Sequence, residues 1–297
     1  MEMTARRDPG LRPQNSSPWL QKNAQRYDYC LLPYTPRQTL PDDLMSVNLL
    51  LWSWEAHGVR QEGEALLQRL TAKLGPGHVV WGIKHHHLQV DSPTWEFYFY
   101  RRPHSCAELS LDTIARLFAP IAVHATLPND LAWLMFSIEV NVHQLRAEQP
   151  TDASVYLETS GHSYRLRANQ PPELENHYVF RDPQSAMADI LTHLRASVHA
   201  PKQPITLAKL LPPQLLDCLH VCVANKRRTD AVYWSRIDTH QLEWFLHTHD
   251  WPQHLRQNLR TFHQQFKHVQ WDVGADFQRS PSPLGFTFVK SGIYGSL

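Results

Sequence analysis

The chain has 297 residues, of which 42% are hydrophobic, and this is enough apolar material for a substantial core. Its 29 basic and 28 acidic residues give a formal net charge of +1, which excludes a broad electrostatic surface for nucleic acid or anionic membranes. No stretch reaches the roughly 20 apolar residues of a membrane span, the N-terminus lacks the apolar core of a signal peptide, and the four cysteines form no CxxC pair. We therefore expect a soluble, cytoplasmic protein.

The first part of the chain divides into an N-terminal arm and the start of a folded domain. Residues 1–40 are rich in Pro, Arg, Asn and Ser without periodicity, so we expect a partly flexible arm. From residue 41, apolar residues recur at helical spacing as far as Gly75, with an interruption at Gly58. We assign residues 41–297 to a single domain that begins with this helix or pair of helices.

Two runs rich in β-branched and aromatic residues follow, at 79–84 and 94–101, and they predict an antiparallel hairpin. The three consecutive histidines, 85–87, fall in the predicted turn. A short helix is expected from Ser110, ended by Pro120.

The next segments continue the pattern of paired strands and helices. Residues 136–143 alternate between apolar and polar side chains and predict a strand. A second hairpin is predicted around Gly161, then a short strand at 177–180 and a helix that starts at Asp182.

The C-terminal third repeats the same order. A hairpin with the polar tip 226–230 precedes a helix, for which Asp238 and Gln241 form a capping-box pattern. A further helix at 253–266 leads into a last predicted hairpin, whose strands flank the Ser-Pro-Ser-Pro segment 280–283.

The predicted elements define an α+β protein. About ten antiparallel strands, joined in up-and-down pairs with helices between them, would leave exposed edges in a flat sheet, and closure into a barrel with helices outside removes those edges. A barrel of this size is wide enough to enclose a ligand chamber. The alternative is a pair of α+β sandwich domains divided near residue 200.

In such a barrel the apolar face of each strand meets the helices and the polar face lines the lumen, although an open sheet with one solvated face has the same alternation. The side chains selected for the lumen are basic, acidic or tyrosine: Lys84, Glu96, Tyr98, Tyr100, Ser137, Glu139, Asn141, His143, Arg165, Arg167, Tyr233 and Lys290.

Repeated units of a helix and a strand pair, with Lys, Arg, Tyr and Glu on the polar face, resemble the ABBA aromatic prenyltransferases over roughly residues 41–297. The resemblance is one of architecture and rests on no shared motif. It implies transfer of an isoprenoid group from its diphosphate to an indole-like or phenol-like acceptor inside a PT barrel, in specialised metabolism. Both partners would then be small molecules, with no nucleic acid, no membrane and no required cofactor, although magnesium is compatible.

The resemblance also implies roles for the lumen residues. Glutamates can accept a hydrogen bond and a proton from the acceptor, cations can hold the diphosphate, and aromatic rings can shield an allylic cation. The expected catalytic residues are Glu96 and Glu139. The expected diphosphate-binding residues are Lys84, Arg165, Arg167 and Lys290, and the expected shielding residues are Tyr98, Tyr100 and Tyr233.

Two other functions remain open at this point. The same chamber suits a non-catalytic protein that binds a ligand or peptide for a biosynthetic pathway. A metalloenzyme is a lesser alternative, in which histidines of the run 85–87 ligate zinc or iron together with His104, His143 or Glu139. Consecutive strand residues point to opposite sides, so the run alone predicts no metal site.

Overall fold

The computed structural model describes residues 26–27, 33–34, 40, 42–75, 79–87, 93–100, 110–119, 134–147, 154–159, 161–166 and 170–296. Two short strands, β1 (Arg26–Tyr27) and β2 (Pro33–Tyr34), pair with each other. The arm and domain boundaries proposed from the sequence stay predictions.

Ten strands in the described part of the chain form one antiparallel sheet that closes into a barrel. They are β3 (Val79–His86), β4 (Thr94–Tyr100), β5 (Met135–Val140), β6 (Ser154–Thr159), β7 (His162–Leu166), β8 (Glu173–Arg181), β9 (His220–Lys226), β10 (Asp230–Ile237), β11 (Trp271–Arg279) and β12 (Phe286–Ser296). Strands that are consecutive in the chain pair with one another, and β12 pairs with β3 to complete the circle.

The helices between the strands are α1 (Val47–Ala56), α2 (Arg60–Leu74), α3 (Leu111–Phe118), α4 (Val142–Leu145), α5 (Met187–Ala196), α6 (Pro204–Leu207), α7 (Thr239–Thr248) and α8 (Gln253–Thr261). Short 3₁₀ segments lie at Ala208–Leu210, Pro213–Leu215 and His263–Phe266. No helix of the described residues is long and apolar enough to cross a membrane.

The main hydrophobic core lies between the helices and the outer face of the barrel. Trp81, Trp95, Phe97 and Ile138 point outward from their strands and are fully buried in this core. The predicted α+β class, with antiparallel strands curled into a barrel and helices outside, is confirmed. Because β8 pairs with β9 across the boundary of the two-sandwich alternative, a single sheet contains both halves.

Several predicted boundaries are corrected by the structure. His85 and His86 belong to β3, because this strand continues along β12 (Ser291 opposite His85) after its pairing with β4 has ended at Lys84. The strand predicted at 136–143 ends at Val140. Asn141 instead caps α4, with its side chain accepting from the Gln144 N–H, so Asn141 and His143 do not continue the strand.

Candidate functional site

The lumen of the barrel contains a cavity of about 420 Å³. Residues directly opposite one another on neighbouring strands share a face of the sheet. Gly82 on β3 is opposite Glu96 on β4, and Glu96 is opposite Glu139 on β5. These three positions therefore lie on the same face of the sheet, the one that faces the lumen. Five basic side chains and three carboxylates line the cavity in the described part of the chain, which makes it a polar chamber of mixed charge.

Most of the residues selected from the sequence meet in this cavity. Seven of them line it: Lys84, Glu96, Tyr98, Ser137, Arg165, Tyr233 and Lys290. Glu139 lies beside Lys84, and Tyr100 is buried in the apolar cluster of the lumen, 3% exposed. Arg167 lies outside the described residues. The roles assigned to these residues stay predictions.

One half of the site, which we call the carboxylate half, consists of Lys84, Glu96, Glu139, Tyr98 and Ser137. The Lys84 ammonium lies 2.5 Å from Glu96 Oε2 and 2.6 Å from Glu139 Oε2. Tyr98 donates its hydroxyl proton to Glu96 Oε2, and the Ser137 hydroxyl donates to Glu96 Oε1 over 2.7 Å. Glu96 is therefore held by three donors, and it is only 3% exposed.

Burial and charge act in opposite directions on Glu139. Burial alone would raise the pKa of this carboxyl, but the neighbouring ammonium groups of Lys84 and Lys290 outweigh it and lower the pKa to about 2. Burial also raises the pKa of Tyr98 well above its usual value, and the adjacent Glu96 adds to this effect. At neutral pH, Glu139 is ionised and Tyr98 is a neutral hydrogen-bond donor.

The second half of the site, which we call the basic half, is centred on Asp276. Its Oδ2 atom lies 2.8 Å from Lys226 Nζ and 3.4 Å from Lys290 Nζ, and it accepts a hydrogen bond from Thr229. Burial favours the neutral acid, but the two lysines outweigh it and hold the pKa of Asp276 well below its usual range. Two ammonium groups thus converge on one buried carboxylate.

Two arginines extend the basic half. Arg165 lies 3.4 Å from Glu175, and both residues line the cavity. Arg228 lies at the tip of the hairpin between β9 and β10 and lines the cavity at its exposed end. It forms no ion pair with any residue that the structure describes. Three residues of the polar tip, Lys226, Arg228 and Thr229, therefore line the chamber.

A row of tyrosine rings connects the two halves. The Tyr98 and Tyr294 ring centroids are 5.8 Å apart, and those of Tyr294 and Tyr233 are 6.2 Å apart. Glycines make room for these rings, since a Cβ atom at Gly274 would lie 2.2 Å from Tyr233 and one at Gly82 would lie 2.8 Å from Tyr294. The rings therefore lie against bare backbone of the barrel wall.

Sequence reasoning missed Tyr294, Lys226, Asp276 and His86 as lining residues. The signal available for Tyr294 was the presence of glycines inside strands, which marks places where another group approaches the backbone closely. The sequence pattern assigned His86 to a turn, but the residue belongs to β3 and lines the cavity. Its neighbours His85 and His87 lie on the opposite side of the strand, with ring centroids 5.3 Å apart. No group of three metal-ligating side chains occurs among the described residues.

No protein-family model matches the chain, and no curated protein matches its sequence. Among solved structures, the chain is similar to 5-dimethylallyltryptophan synthase from Streptomyces coelicolor, with a TM-score of 0.49 and 13% sequence identity. The match covers 84% of this chain and 95% of that chain. A likeness at this level identifies neither a family nor an activity, so any functional conclusion has to come from the residues of this chain.

Proposed function

We propose that the chain is an aromatic prenyltransferase, which transfers an isoprenoid group from its diphosphate to an indole-like or phenol-like acceptor. The observation that carries this proposal is the division of one cavity into a basic half and a carboxylate half, connected by the row of tyrosine rings. The reaction requires these three environments within a few ångströms of one another, because an anion leaves, a cation forms and a proton is lost.

The basic half suits the leaving group. When the bond between the allylic carbon and oxygen breaks, its electron pair goes to the diphosphate, and nearby cations stabilise the charge that develops there. Lys226, Lys290, Arg165 and Arg228 supply such cations around the cavity. The nearest carboxylate, Asp276, is already bound by two lysines, so we propose that the chain holds the diphosphate without a metal ion.

The tyrosine row suits the allylic cation. The face of an aromatic ring carries partial negative charge and attracts a cation. The ring of Tyr233 already has this relationship with Lys226, whose Nζ lies 5.4 Å from the ring centroid. A cation formed beside Tyr98, Tyr294 and Tyr233 would be stabilised in the same way, and rings packed on the wall leave less room for water that would hydrolyse it.

The carboxylate half suits the acceptor. A carboxylate has about four lone-pair positions, and three donors reach Glu96, so one position remains for an acceptor N–H or O–H group. Such a bond would orient the acceptor and enrich its ring in electrons. Glu139, with its low pKa, is a weak base, and we propose that it positions Lys84 instead. In this proposal Lys84 therefore belongs to the part of the chamber that binds the aromatic acceptor.

Turnover is tested with dimethylallyl diphosphate as donor and with indole and 1-naphthol as acceptors, in the presence and absence of EDTA. Prenylated product detected by mass spectrometry, undiminished by EDTA, is the expected result. Binding of the unreactive analogue dimethylallyl S-thiolodiphosphate is measured separately by calorimetry.

The variants Lys226→Met and Lys290→Met should each weaken binding of the analogue about 10-fold or more, because each removes one charge-assisted contact. Lys267→Met is the matched control, since Lys267 is exposed on the outside of the fold. Binding of the analogue without turnover would support the non-catalytic alternative. Absence of both binding and product from the wild-type protein would refute the proposed function.

A further inference from the structure

His86 lies at the junction between the two halves of the chamber. It is partly buried and lines the cavity. Lys84 lies two positions away on the same face of β3, and Lys290 is the cross-strand partner of His86 on β12. His86 Nε2 is 3.4 Å from Thr94 Oγ1. The imidazole is thus next to both the carboxylate half and the basic half.

Two carboxylates of the chamber, Asp276 and Glu139, are poor proton acceptors, and Glu96 already accepts from three donors. Two lysines hold the pKa of Asp276 well below its usual range. The pKa of Glu139 is about 2. A proton removed from an aromatic carbon needs an acceptor that is unprotonated at neutral pH and still basic, and a neutral imidazole has both properties.

The surroundings of His86 keep its ring neutral. Burial is the main cause of its lowered pKa, followed by the charge of Lys290 on β12, and Lys84 on β3 acts in the same direction. Two carboxylates, Glu139 on β5 and Asp276 on β11, oppose this effect. The same two carboxylates favour the imidazolium once a proton arrives.

The contact with Thr94 indicates which nitrogen of His86 can act as the base. Nε2 lies 3.4 Å from the Thr94 hydroxyl oxygen. In the tautomer that donates its Nε2–H group to this oxygen, the other nitrogen, Nδ1, carries the free lone pair.

We infer that His86 is a catalytic residue of the proposed reaction, the one that takes the proton released from the aromatic ring of the acceptor. The inference rests on the proposed function. The allylic C–O bond breaks with its electron pair on the diphosphate, and a π pair of the acceptor forms the new C–C bond. The C–H pair then restores the aromatic ring while the proton moves to Nδ1 of His86. Because His86 is partly exposed, the imidazolium can return this proton to solvent.

The test compares the wild-type protein with His86→Gln, using dimethylallyl diphosphate and indole. Because glutamine cannot take a proton, kcat should fall about 100-fold. Indole deuterated on its ring should react at the same rate as ordinary indole with the wild type. It should react at least twofold more slowly than ordinary indole with His86→Gln, because loss of the proton becomes rate-limiting. Acid protonates His86, so the wild type should itself acquire the isotope effect as the pH is lowered, whereas His86→Gln should show it at every pH.

The control variant is His177→Gln, because His177 is exposed and does not line the cavity. It should keep the wild-type rate, isotope effect and pH profile. A fall in kcat for His86→Gln without an isotope effect would refute the role of His86 and leave the proposed function standing. A wild-type protein that binds the thiolodiphosphate but forms no product would refute both.

Discussion

Lys84 is the residue on which the carboxylate half depends. Two carboxylates, Glu96 and Glu139, are directly opposite one another on β4 and β5, and both are paired with this single ammonium group. Lys84 itself is 7% exposed. Removing one partner of a buried ion pair leaves an uncompensated charge, at a cost of about 3–5 kcal/mol.

We therefore predict that Lys84→Met lowers the free energy of unfolding at pH 7 by about 3 kcal/mol, measured by urea denaturation. Lys84→Met combined with Glu139→Gln should recover part of this loss, because one of the opposed charges is gone. The exposed Lys267→Met is the control and should leave stability unchanged. Equal losses in the single and double variants would contradict this account of Lys84.

The pH dependence of the ion pair has a definite sign. The pKa of Glu139 in the folded protein, about 2, is below the ordinary value of about 4.5. Its contribution to stability is therefore present above pH 4.5 and is lost as the pH falls toward 2. In Lys84→Met the carboxylates lack their cation, so the deficit relative to wild type should shrink in the same range. A deficit that is constant between pH 7 and pH 3 would contradict this prediction.

Residue-scale prediction from the sequence was successful where it needed only the alternation within one strand. Glu96 and Tyr98 were selected in this way, and both line the cavity. Asp276 could not be selected by alternation, because a register shift between Asp276 and Phe277 interrupts the alternation of side chains on β11. His86 depends on pairing with a strand about 200 residues away, and alternation within β3 carries no information about that partner.

At the scale of elements, the contact between β10 and β11 is adapted to one aromatic ring. Gly274 is the cross-strand partner of Tyr233, and a Cβ atom there would lie 2.2 Å from the Tyr233 ring. Because no real side chain tolerates this distance, the ring has to move when any other residue replaces the glycine. Overpacking of this kind costs about 1–3 kcal/mol.

We predict that Gly274→Ala destabilises the wild-type protein by about 2 kcal/mol in urea denaturation, but costs little in a Tyr233→Ala background. The difference between the two backgrounds is the coupling between the residues. Additive losses would show that the ring of Tyr233 is not what Gly274 accommodates. The same displacement should reduce turnover in the proposed reaction, since Tyr233 belongs to the row that shields the cation.

The capping box at the start of α7 was predicted from the sequence, down to the two residues that form it. Asp238 accepts a hydrogen bond from the Gln241 N–H, and the Gln241 side chain accepts one from the Asp238 N–H, as the capping-box pattern predicts. Asp238→Ala should lower the free energy of unfolding by about 1 kcal/mol. His240→Ala, on the exposed side of the same helix turn, is the control, and an equal loss in both would contradict a specific capping effect.

Not every capping signal was correct. Asp182 was expected to begin a helix, but α5 begins at Met187. The carboxylate of Asp182 instead accepts from the Gln184 N–H and from the Ser185 hydroxyl in a turn before the helix. Aspartate side chains satisfy turns as readily as helix ends, so the local sequence does not distinguish the two.

At the scale of the molecule, β12 and β3 form the seam that closes the barrel. Local sequence predicted the hairpins well, because each is specified by its own alternation and turn. The seam joins the two ends of the sheet, and nothing local encodes it. A small aromatic and imidazole cluster covers it from outside, where His85, His87 and His249 lie close together, with the last two centroids 5.8 Å apart.

This cluster should make the fold sensitive to acid. Burial is the main cause that lowers the pKa of His249 to about 3, and the neighbouring His87 and His85 contribute to this shift. Burial likewise lowers the pKa of His87 to about 4, with His85 as the next cause. In the unfolded chain both imidazoles take up a proton near pH 6.5. The unfolded state therefore binds more protons than the folded state below that pH, and stability falls as the pH is lowered from 6.5 toward 4.

The substitution His249→Phe removes one of the two imidazoles that take up a proton on unfolding. His249 is 5% exposed and packs on Phe245 and Phe288, at centroid distances of 4.4 and 4.7 Å, so a phenyl ring suits its site. Its Nδ1 atom has no hydrogen-bond partner among the described residues, so the substitution sacrifices no bond there.

We expect His249→Phe to be at least as stable as the wild type at pH 7. Between pH 6 and pH 4 its free energy of unfolding should fall less steeply, by up to about 1.4 kcal/mol per pH unit, since one fewer proton is taken up on unfolding. Urea denaturation at half-unit pH intervals measures both slopes, with the exposed His240→Phe as control. Identical slopes in His249→Phe and the wild type would mean that His249 is protonated in the folded protein, and the seam would then not be the origin of acid sensitivity.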